Sequence, residues 1–256
     1  MPVLKGGWPV YGIPIGIIML DCKFPRPVGD VGNAGTFPFP VAYEVLREII
    51  PAELIGGRKP EEVERLLCAA RNLERLGVGG ILTSCGLLIQ YQKELTRAVN
   101  IPVASSSLLL LPLIGAMIPA EKKVAVLSSK SLGSPADIAE SSGWKEPGRI
   151  VVAGLEGCEV FNRSINRQMP PYEMDTEVIY SEVLRVCKHL FAAEQDIAAL
   201  LLECTNLGPY SGRLRGDLGV PVFDFNQLVQ LLQSAVAGCG RTGGCSCRPD
   251  GSSLQG

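Results

Sequence analysis

The strongest constraint on the fold is a repeat inside the chain. Gly80-Ile-Leu-Thr-Ser-Cys85 is followed by a helical pattern and then Ile101-Pro102-Val103; Leu200-Leu-Leu-Glu-Cys204 is followed by another and then Val220-Pro221-Val222. In both copies the proline stands seventeen residues after the cysteine. Each half also opens with a second apolar strand pattern, Ile15-Gly-Ile-Ile-Met-Leu-Asp21 in the first and Lys123-Val-Ala-Val-Leu-Ser128 in the second. A duplicated chain of strand-helix units reads as α/β: two pseudo-symmetric lobes, each a parallel-sheet, flavodoxin-like α/β sandwich, with the site in the cleft between them. Each lobe then places one cysteine just past the carboxyl end of a strand, the edge at which open α/β sheets bind ligands.

Short apolar runs bounded by Gly and Pro predict strands at residues 13–20, 80–84, 102–104, 123–128, 150–153, 198–203 and 221–223. Longer amphipathic stretches predict helices at 39–50, 60–76, 87–99, 176–194 and 226–237. Pro60 suits a first helical turn, and Glu61, Glu62 and Glu64 after it suit the positive end of the helix dipole. The repeat divides the chain into lobe 1 at 1–106 plus 224–237 and lobe 2 at 107–223. A flexible tail is expected at 238–256, where Gly, Ser, Cys and Arg replace large apolar side chains.

Nine cysteines stand against one histidine. An odd count of thiols spread along a chain without a secretory signal argues against a disulfide framework. One imidazole, His189, excludes two-histidine metal sites and disfavours Ser-His-Asp and Cys-His arrangements. Its place in the helix at 176–194, away from any strand end, gives it a structural or surface role. The tail cysteines, Cys239, Cys245 and Cys247, have no standard zinc spacing, so no metal is expected. With 24 basic and 26 acidic side chains and a net charge of -2, the chain lacks a basic field for nucleic acid. Its longest apolar stretch, residues 108–120, contains Pro112, Gly115 and Pro119 and is shorter than the roughly 18–20 residues that span a bilayer. The expected setting is therefore cytoplasmic, with neither a membrane nor nucleic acid as partner.

Approximate two-fold symmetry brings Cys85 and Cys204 to one ligand from opposite sides. One sulfur could remove a proton from carbon while the other delivers one to the opposite face, inverting the centre. Both residues precede a helix or turn, and a helix N-terminus lowers a thiol pKa. Cys22, Cys68, Cys158 and Cys187 stand at no repeated strand end and are assigned to core filling.

The pairing of Thr83-Ser84-Cys85-Gly86 with Glu203-Cys204-Thr205-Asn206 resembles the aspartate/glutamate/hydantoin racemase superfamily. The loop from Asp21 to Pro40, with Pro25-Arg-Pro-Val-Gly-Asp-Val-Gly-Asn33-Ala-Gly-Thr36, is similar to that of its aspartate/glutamate racemase family proteins. The likeness runs over about residues 10–237. That superfamily also holds a dimethylsulfoniopropionate lyase branch, maleate isomerases and arylmalonate decarboxylases. The resemblance implies cofactor-free chemistry beside a carboxylate, Cys85 and Cys204 as the acid/base pair, a small-molecule carboxylate substrate and a homodimer. Two positions depart from the pattern. Family aspartate and glutamate racemases commonly carry Asn-Thr after the first cysteine, where this chain has Gly86-Leu87. Glutamate racemases place His after the second Cys-Thr, where this chain has Asn206.

Proton removal beside a carboxylate leaves charge that fixed donors must hold. Asn33 and Thr36 of the Gly-rich loop, Ser84 and Gly86 around the first cysteine, and Thr205 and Asn206 after the second are the substrate-binding candidates. Ser128, Lys130 and Arg26 are candidate partners for the carboxylate. Ser105, Ser106 and Ser107 suit the capping of the next helix. The residues put first a cofactor-independent racemase or epimerase acting on a small amino acid or related carboxylate. A dimethylsulfoniopropionate lyase-type β-elimination with a cysteine base comes second, favoured by the loss of polar groups at 86, 87 and 206. A non-catalytic small-ligand-binding protein comes third.

Overall fold

The computed structural model describes residues 7–237, apart from 48, 50, 58 and 131 and the side chains of 51–53. The expected tail at 238–256, with its three cysteines, lies outside the described residues. The first half lays down β1 (Ile15–Leu20), β2 (Val41–Leu46), α1 (Pro51–Gly57), α2 (Pro60–Leu76), β3 (Gly80–Thr83), α3 (Gln92–Ala98), β4 (Val103–Ala104) and α4 (Leu111–Met117). The second half lays down β5 (Lys123–Ser128), α5 (Pro135–Ser142), β6 (Ile150–Gly154), α6 (Glu159–Phe161), α7 (Thr176–Ala193), β7 (Ile197–Leu202), α8 (Ser211–Leu218), β8 (Val222–Phe223) and α9 (Phe225–Val236).

These strands form two four-stranded sheets, ordered β2-β1-β3-β4 and β6-β5-β7-β8, with every pairing parallel. The same path is followed twice, the flavodoxin-like order implied by the repeat. Among the described residues no helix is long and apolar enough to cross a membrane.

Parallel sheets are covered on both faces, so their inner strands are apolar throughout. All six residues of β1 are buried. Ile15, Ile17 and Met19 join a cluster that also takes Val124 and Val126 of β5, Ala199 and Leu201 of β7, Leu111 and Ile114 of α4, and Phe225 and Val229 of α9. Ile18 and Leu20 point the other way, onto Leu66 and Leu73 of α2. Ala125 and Leu127 do likewise in the second lobe, against Ile179 and Val183 of α7. One core is thus shared between the lobes, and each lobe adds an outer core of its own. The last helix, α9, follows the second sheet yet packs on β1 and β3 of the first. Its start is fixed by Asp224, whose side chain accepts from the Gln227 N–H at 3.1 Å while Gln227 accepts from the Asp224 N–H.

One expected element is overturned. The helix expected at 39–50 is absent, and Val41–Leu46 forms the edge strand β2, paired in parallel with β1 from Ile15↔Val41 to Leu20↔Leu46. Val41 and Tyr43 pack on the shared core while Ala42 packs on the outer one, the two-residue alternation of a strand. Glu44 bonds Asn72 of α2 at 3.0 Å. An edge strand tolerates such polar and half-exposed positions, and that mixture imitates helical amphipathicity over so short a stretch. The helix expected at 87–99 also divides: Gly86–Tyr91 is a 3₁₀ turn, and α3 follows it. Ser106 caps as expected, accepting from the Leu108 N–H at 3.2 Å.

The loop between β1 and β2 is held onto the second lobe. Gly29 has φ +102, a left-handed conformation, and a Cβ there would sit 2.7 Å from Cα of Pro209. The Gly29 carbonyl accepts from Asn226 Nδ2 at 2.7 Å, and Asp30 accepts from Asn206 Nδ2 at 2.7 Å. Gly29→Ala should therefore lower the unfolding free energy by about 2 kcal/mol or more, from strain and collision together. Gly212→Ala, on the exposed face of α8 with no neighbour within 4 Å of the added methyl, should leave it unchanged or raise it. Urea titrations of the two variants decide, and equal midpoints would refute the clamp.

Candidate active site

The duplicated topology delivers two copies of one local geometry. Cys85 follows β3 and caps the 3₁₀ turn Gly86–Tyr91; Cys204 follows β7 and caps the 3₁₀ turn Thr205–Tyr210. The two turns are joined across the cleft, since Thr205 Oγ1 donates to the Ser84 carbonyl at 2.6 Å. Ser84 Oγ in turn accepts from the Leu20 N–H at 2.9 Å, tying the end of β1 to the same point. Both cysteines line a single cavity of about 340 Å³. Leu20, Phe24, Ile55, Leu87 and Ile165 give it apolar walls, and Lys130, Glu203, Asn206, Asn166 and Gln168 bring polar groups to it.

The expectation of thiols acidified by their turns is reversed. Backbone N–H groups of Leu87 and Asn206 do favour the thiolates, but burial and the neighbouring Glu203 carboxyl outweigh them. The Cys85 thiol is pushed up to about 12, and that of Cys204 well above its usual value. Both sulfurs are therefore neutral thiols in the resting cavity. The Cys204 thiol donates to Asn206 Oδ1 at 3.5 Å. Glu203 is 1% exposed, and burial lifts its carboxyl to about 7 against the Ser128 hydrogen bond and the Lys130 charge, which both favour ionisation. Ser128 Oγ donates to Glu203 Oε2 at 2.6 Å, while Oε1 is buried with no hydrogen-bond partner.

Of the residues singled out in the sequence, Arg26, Ser84, Cys85, Gly86, Lys130, Cys204, Thr205 and Asn206 line the cavity. Arg26 is paired with Asp30 at 2.7 Å and lies 4.4 Å from the centroid of the Phe24 ring, so its charge is already engaged. Ser128 stands behind the lining, holding Glu203. Asn33 and Thr36 are placed in the loop itself. Asn33 Nδ2 donates to the Arg26 carbonyl at 2.7 Å, and Thr36 Oγ1 donates to the Asp30 carbonyl and accepts from the Gly29 N–H. His189 is exposed on α7. Among the four cysteines assigned to core filling, Cys158 and Cys187 are fully buried in the outer core of the second lobe. Cys68 is exposed instead, and Cys22 packs against both outer cores while also lining the cavity.

Sequence reasoning named Glu203 inside the motif but gave it no role. Its signal was present, as a carboxylate at the end of an otherwise apolar strand, in the position that Ser84 holds in the first copy. The wall formed by Asn162, Ile165, Asn166 and Gln168 had no such signal. It comes from an irregular π turn, Asn162–Asn166, whose Asn162 amide donates to the carbonyls of Leu155, Glu156 and Cys158. Gln168 Oε1 then accepts from the Lys23 N–H at 2.7 Å, fastening this wall to the loop after β1. Among the described residues no group of three or more His, Cys, Asp or Glu side chains could hold a metal ion.

The two-lobed parallel α/β fold is shared with solved isomerases and a decarboxylase. The chain aligns with an aspartate racemase homologue from Pyrococcus horikoshii OT3 at TM-score 0.52 and 20% identity, covering 85% of this chain and 98% of that one. It aligns with allantoin racemase from Klebsiella pneumoniae at TM-score 0.54 and 17% identity, covering 94% and 96%. No family model matches the chain. In sequence it is 31% identical over 217 residues to a dimethylsulfoniopropionate lyase of Durusdinium sp. clade D, covering 82% of this chain and 70% of that one. It is 28% identical over 219 residues to dimethylsulfoniopropionate lyase 7 of Emiliania huxleyi (strain CCMP1516), covering 82% and 63%, short of two thirds of that relative. The chain belongs to the dimethylsulfoniopropionate lyase family, on the fold of the aspartate/glutamate/hydantoin racemase superfamily.

The raised Glu203 carboxyl has a consequence for stability. Between pH 4.5 and 7 the unfolded chain releases this proton while the folded one retains it, so folding weakens as pH rises through that window and levels off above it. From pH 4.5 to 8, the Glu203→Gln variant should gain about 3 kcal/mol relative to wild type, because each tenfold change in proton affinity is worth about 1.4 kcal/mol. Denaturant titrations at several pH values measure it, and parallel pH curves would contradict the raised carboxyl.

Proposed function

We propose that the chain is a cofactor-independent lyase that cleaves a β-sulfonium carboxylate of the dimethylsulfoniopropionate kind. The observation that carries this reading is the largely apolar lining of the cavity that the strand-end cysteines reach. A thiolate removes the proton from the carbon beside the carboxylate. The electron pair left behind forms the carbon–carbon double bond, the carbon–sulfur bond breaks, and dimethyl sulfide departs with the bonding pair, leaving acrylate. Walls of Leu20, Phe24, Ile55 and Leu87 suit two methyl groups on sulfur better than the second carboxylate of an acidic amino acid. Lys130 is the cation assigned to the substrate carboxylate, and the backbone N–H groups after each cysteine are assigned to the charge that develops on it. Arg26, already bound by Asp30, is assigned to shaping the loop.

The second reading is inversion at the α-carbon. The specific observation behind it is that thiols from both lobes reach the cavity, whereas elimination needs one base. The lyase relatives and the apolar walls put elimination ahead of it.

Headspace measurement of dimethyl sulfide tests the assignment. Wild type should release it from dimethylsulfoniopropionate. One of Cys85→Ser and Cys204→Ser should lose about a hundredfold or more, the worth of a positioned general base, and the other should lose less. Inversion of chiral carboxylates abolished in both variants, without sulfide from wild type, would favour the second reading. Undiminished sulfide release by both variants would refute a thiol base.

A further inference from the structure

We propose that Glu203 sets the cavity's preference for a cationic substrate, its carboxylate facing the onium group while Lys130 takes the substrate carboxylate. This rests on the β-sulfonium reading given above and adds the residue that tells a zwitterion from a plain carboxylate.

Among the described residues, Glu203 is the only carboxyl that lines the cavity. It follows β7, and its N–H donates to the Leu127 carbonyl of β5, the neighbouring strand, at 2.8 Å. Its side chain fills room left by the first lobe, since a Cβ at Gly86 would collide with both Glu203 Oε1 and the Glu203 carbonyl. Only half of the carboxyl is engaged. Ser128 Oγ donates to Oε2 at 2.6 Å, while Oε1 is buried with no hydrogen-bond partner. A carboxylate retained for structure alone would have both oxygens satisfied, because an unpaired buried acceptor is costly. An onium group has no N–H or O–H to donate and presents its charge through C–H bonds, so an oxygen without another donor is the partner it fits.

The charges in the cavity match a zwitterion. A cation entering it loses its hydration, and the walls of Leu20, Phe24, Ile55 and Leu87 return nothing for that loss, so the charge has to be paired. Arg26 is bound to Asp30, which leaves Lys130 and Glu203, from the ends of neighbouring strands, as the pair for the two ends of the substrate. The groups that act on Glu203 are Ser128 and Lys130 after β5, both favouring its ionised form, and the thiols it acts on are Cys204 beside it and Cys85 across the cleft. Burial holds the carboxyl at about 7 in the empty cavity, and a bound cation favours its ionised form. The preference for a cation is therefore full above pH 7 and fades below it.

Two propanoates of one shape isolate the charge: one bears a β-trimethylammonium group, the other a neutral β-tert-butyl group. Calorimetric titration of each into the full chain from pH 5 to 9 reads the ratio of their Kd values. Wild type should bind the cationic compound about tenfold or more tightly at pH 9, with the ratio declining as pH falls through 7. Glu203→Gln should bring the ratio to one or reverse it at every pH, while keeping or raising affinity for the neutral compound. Ser128→Ala removes a hydroxyl that favours the ionised carboxyl, so it should move the decline to higher pH; it keeps the test decisive if Glu203→Gln fails to fold. In sulfide release from dimethylsulfoniopropionate, Glu203→Gln should raise KM about tenfold without lowering kcat, because the sulfonium charge is lost as the carbon–sulfur bond breaks. A wild type that binds both compounds alike or binds neither overturns the proposal. So does a ratio retained in Glu203→Gln, a decline unmoved in Ser128→Ala, or a loss confined to kcat. A wild type that prefers the cationic compound but releases no sulfide overturns the proposed reaction instead and leaves the role of Glu203 standing.

Discussion

The structure turns on the burial of one carboxyl and two thiols where the two lobes meet. Each of these groups resists ionisation because it is withdrawn from water, and the two thiols resist it further because the Glu203 carboxyl is close. A site built this way holds little charge at rest. The β-sulfonium substrate proposed above would bring a cation into it. The apolar walls serve the same end, since a low-dielectric cavity strengthens each electrostatic interaction inside it.

The fold supports this by making the meeting of lobes rigid. The two sheets share a core that runs from Ile15 and Ile17 through α4 and α9 to Val124 and Val126. Above it, Thr205 is bonded to the Ser84 carbonyl and Asn206 to Asp30. These contacts cross from lobe to lobe within a few residues of each cysteine. The loop after β1 is seated on the second lobe at Gly29 and closed by Arg26 and Asp30, so the cavity wall from Cys22 to Arg26 is set by contacts outside the cavity.

Much of this was legible in the sequence because duplication leaves a strong mark. The cysteine and the proline seventeen residues later located two strand ends, two turns and the cleft. Long inner strands such as β1 and β5 were legible for the same reason, being apolar on both faces. The edge strand β2 was not, because half-exposure at Glu44 and Val45 blurred its alternation into something helical. Burial also reversed the expected acidity of Cys85 and Cys204: a turn N-terminus was visible in the sequence, but the depth of the sulfurs and the charge of the nearby Glu203 carboxyl were properties of the assembled cleft. Asn33 and Thr36 looked available for a ligand because a loop rich in Gly and polar groups reads the same whether those groups face outward or bond one another. The wall from Asn162 to Gln168 came from an irregular turn that no periodicity announces.

The most direct measurement is the fate of the hydrogens on the carbon beside the carboxylate. Dimethylsulfoniopropionate with deuterium at that carbon should release dimethyl sulfide more slowly than the unlabelled compound, or should exchange the label into water before sulfide departs. Label at the β-carbon should do neither. Sulfide released at the same rate from both compounds, with the α-label fully retained in unreacted substrate, would contradict proton abstraction at that carbon.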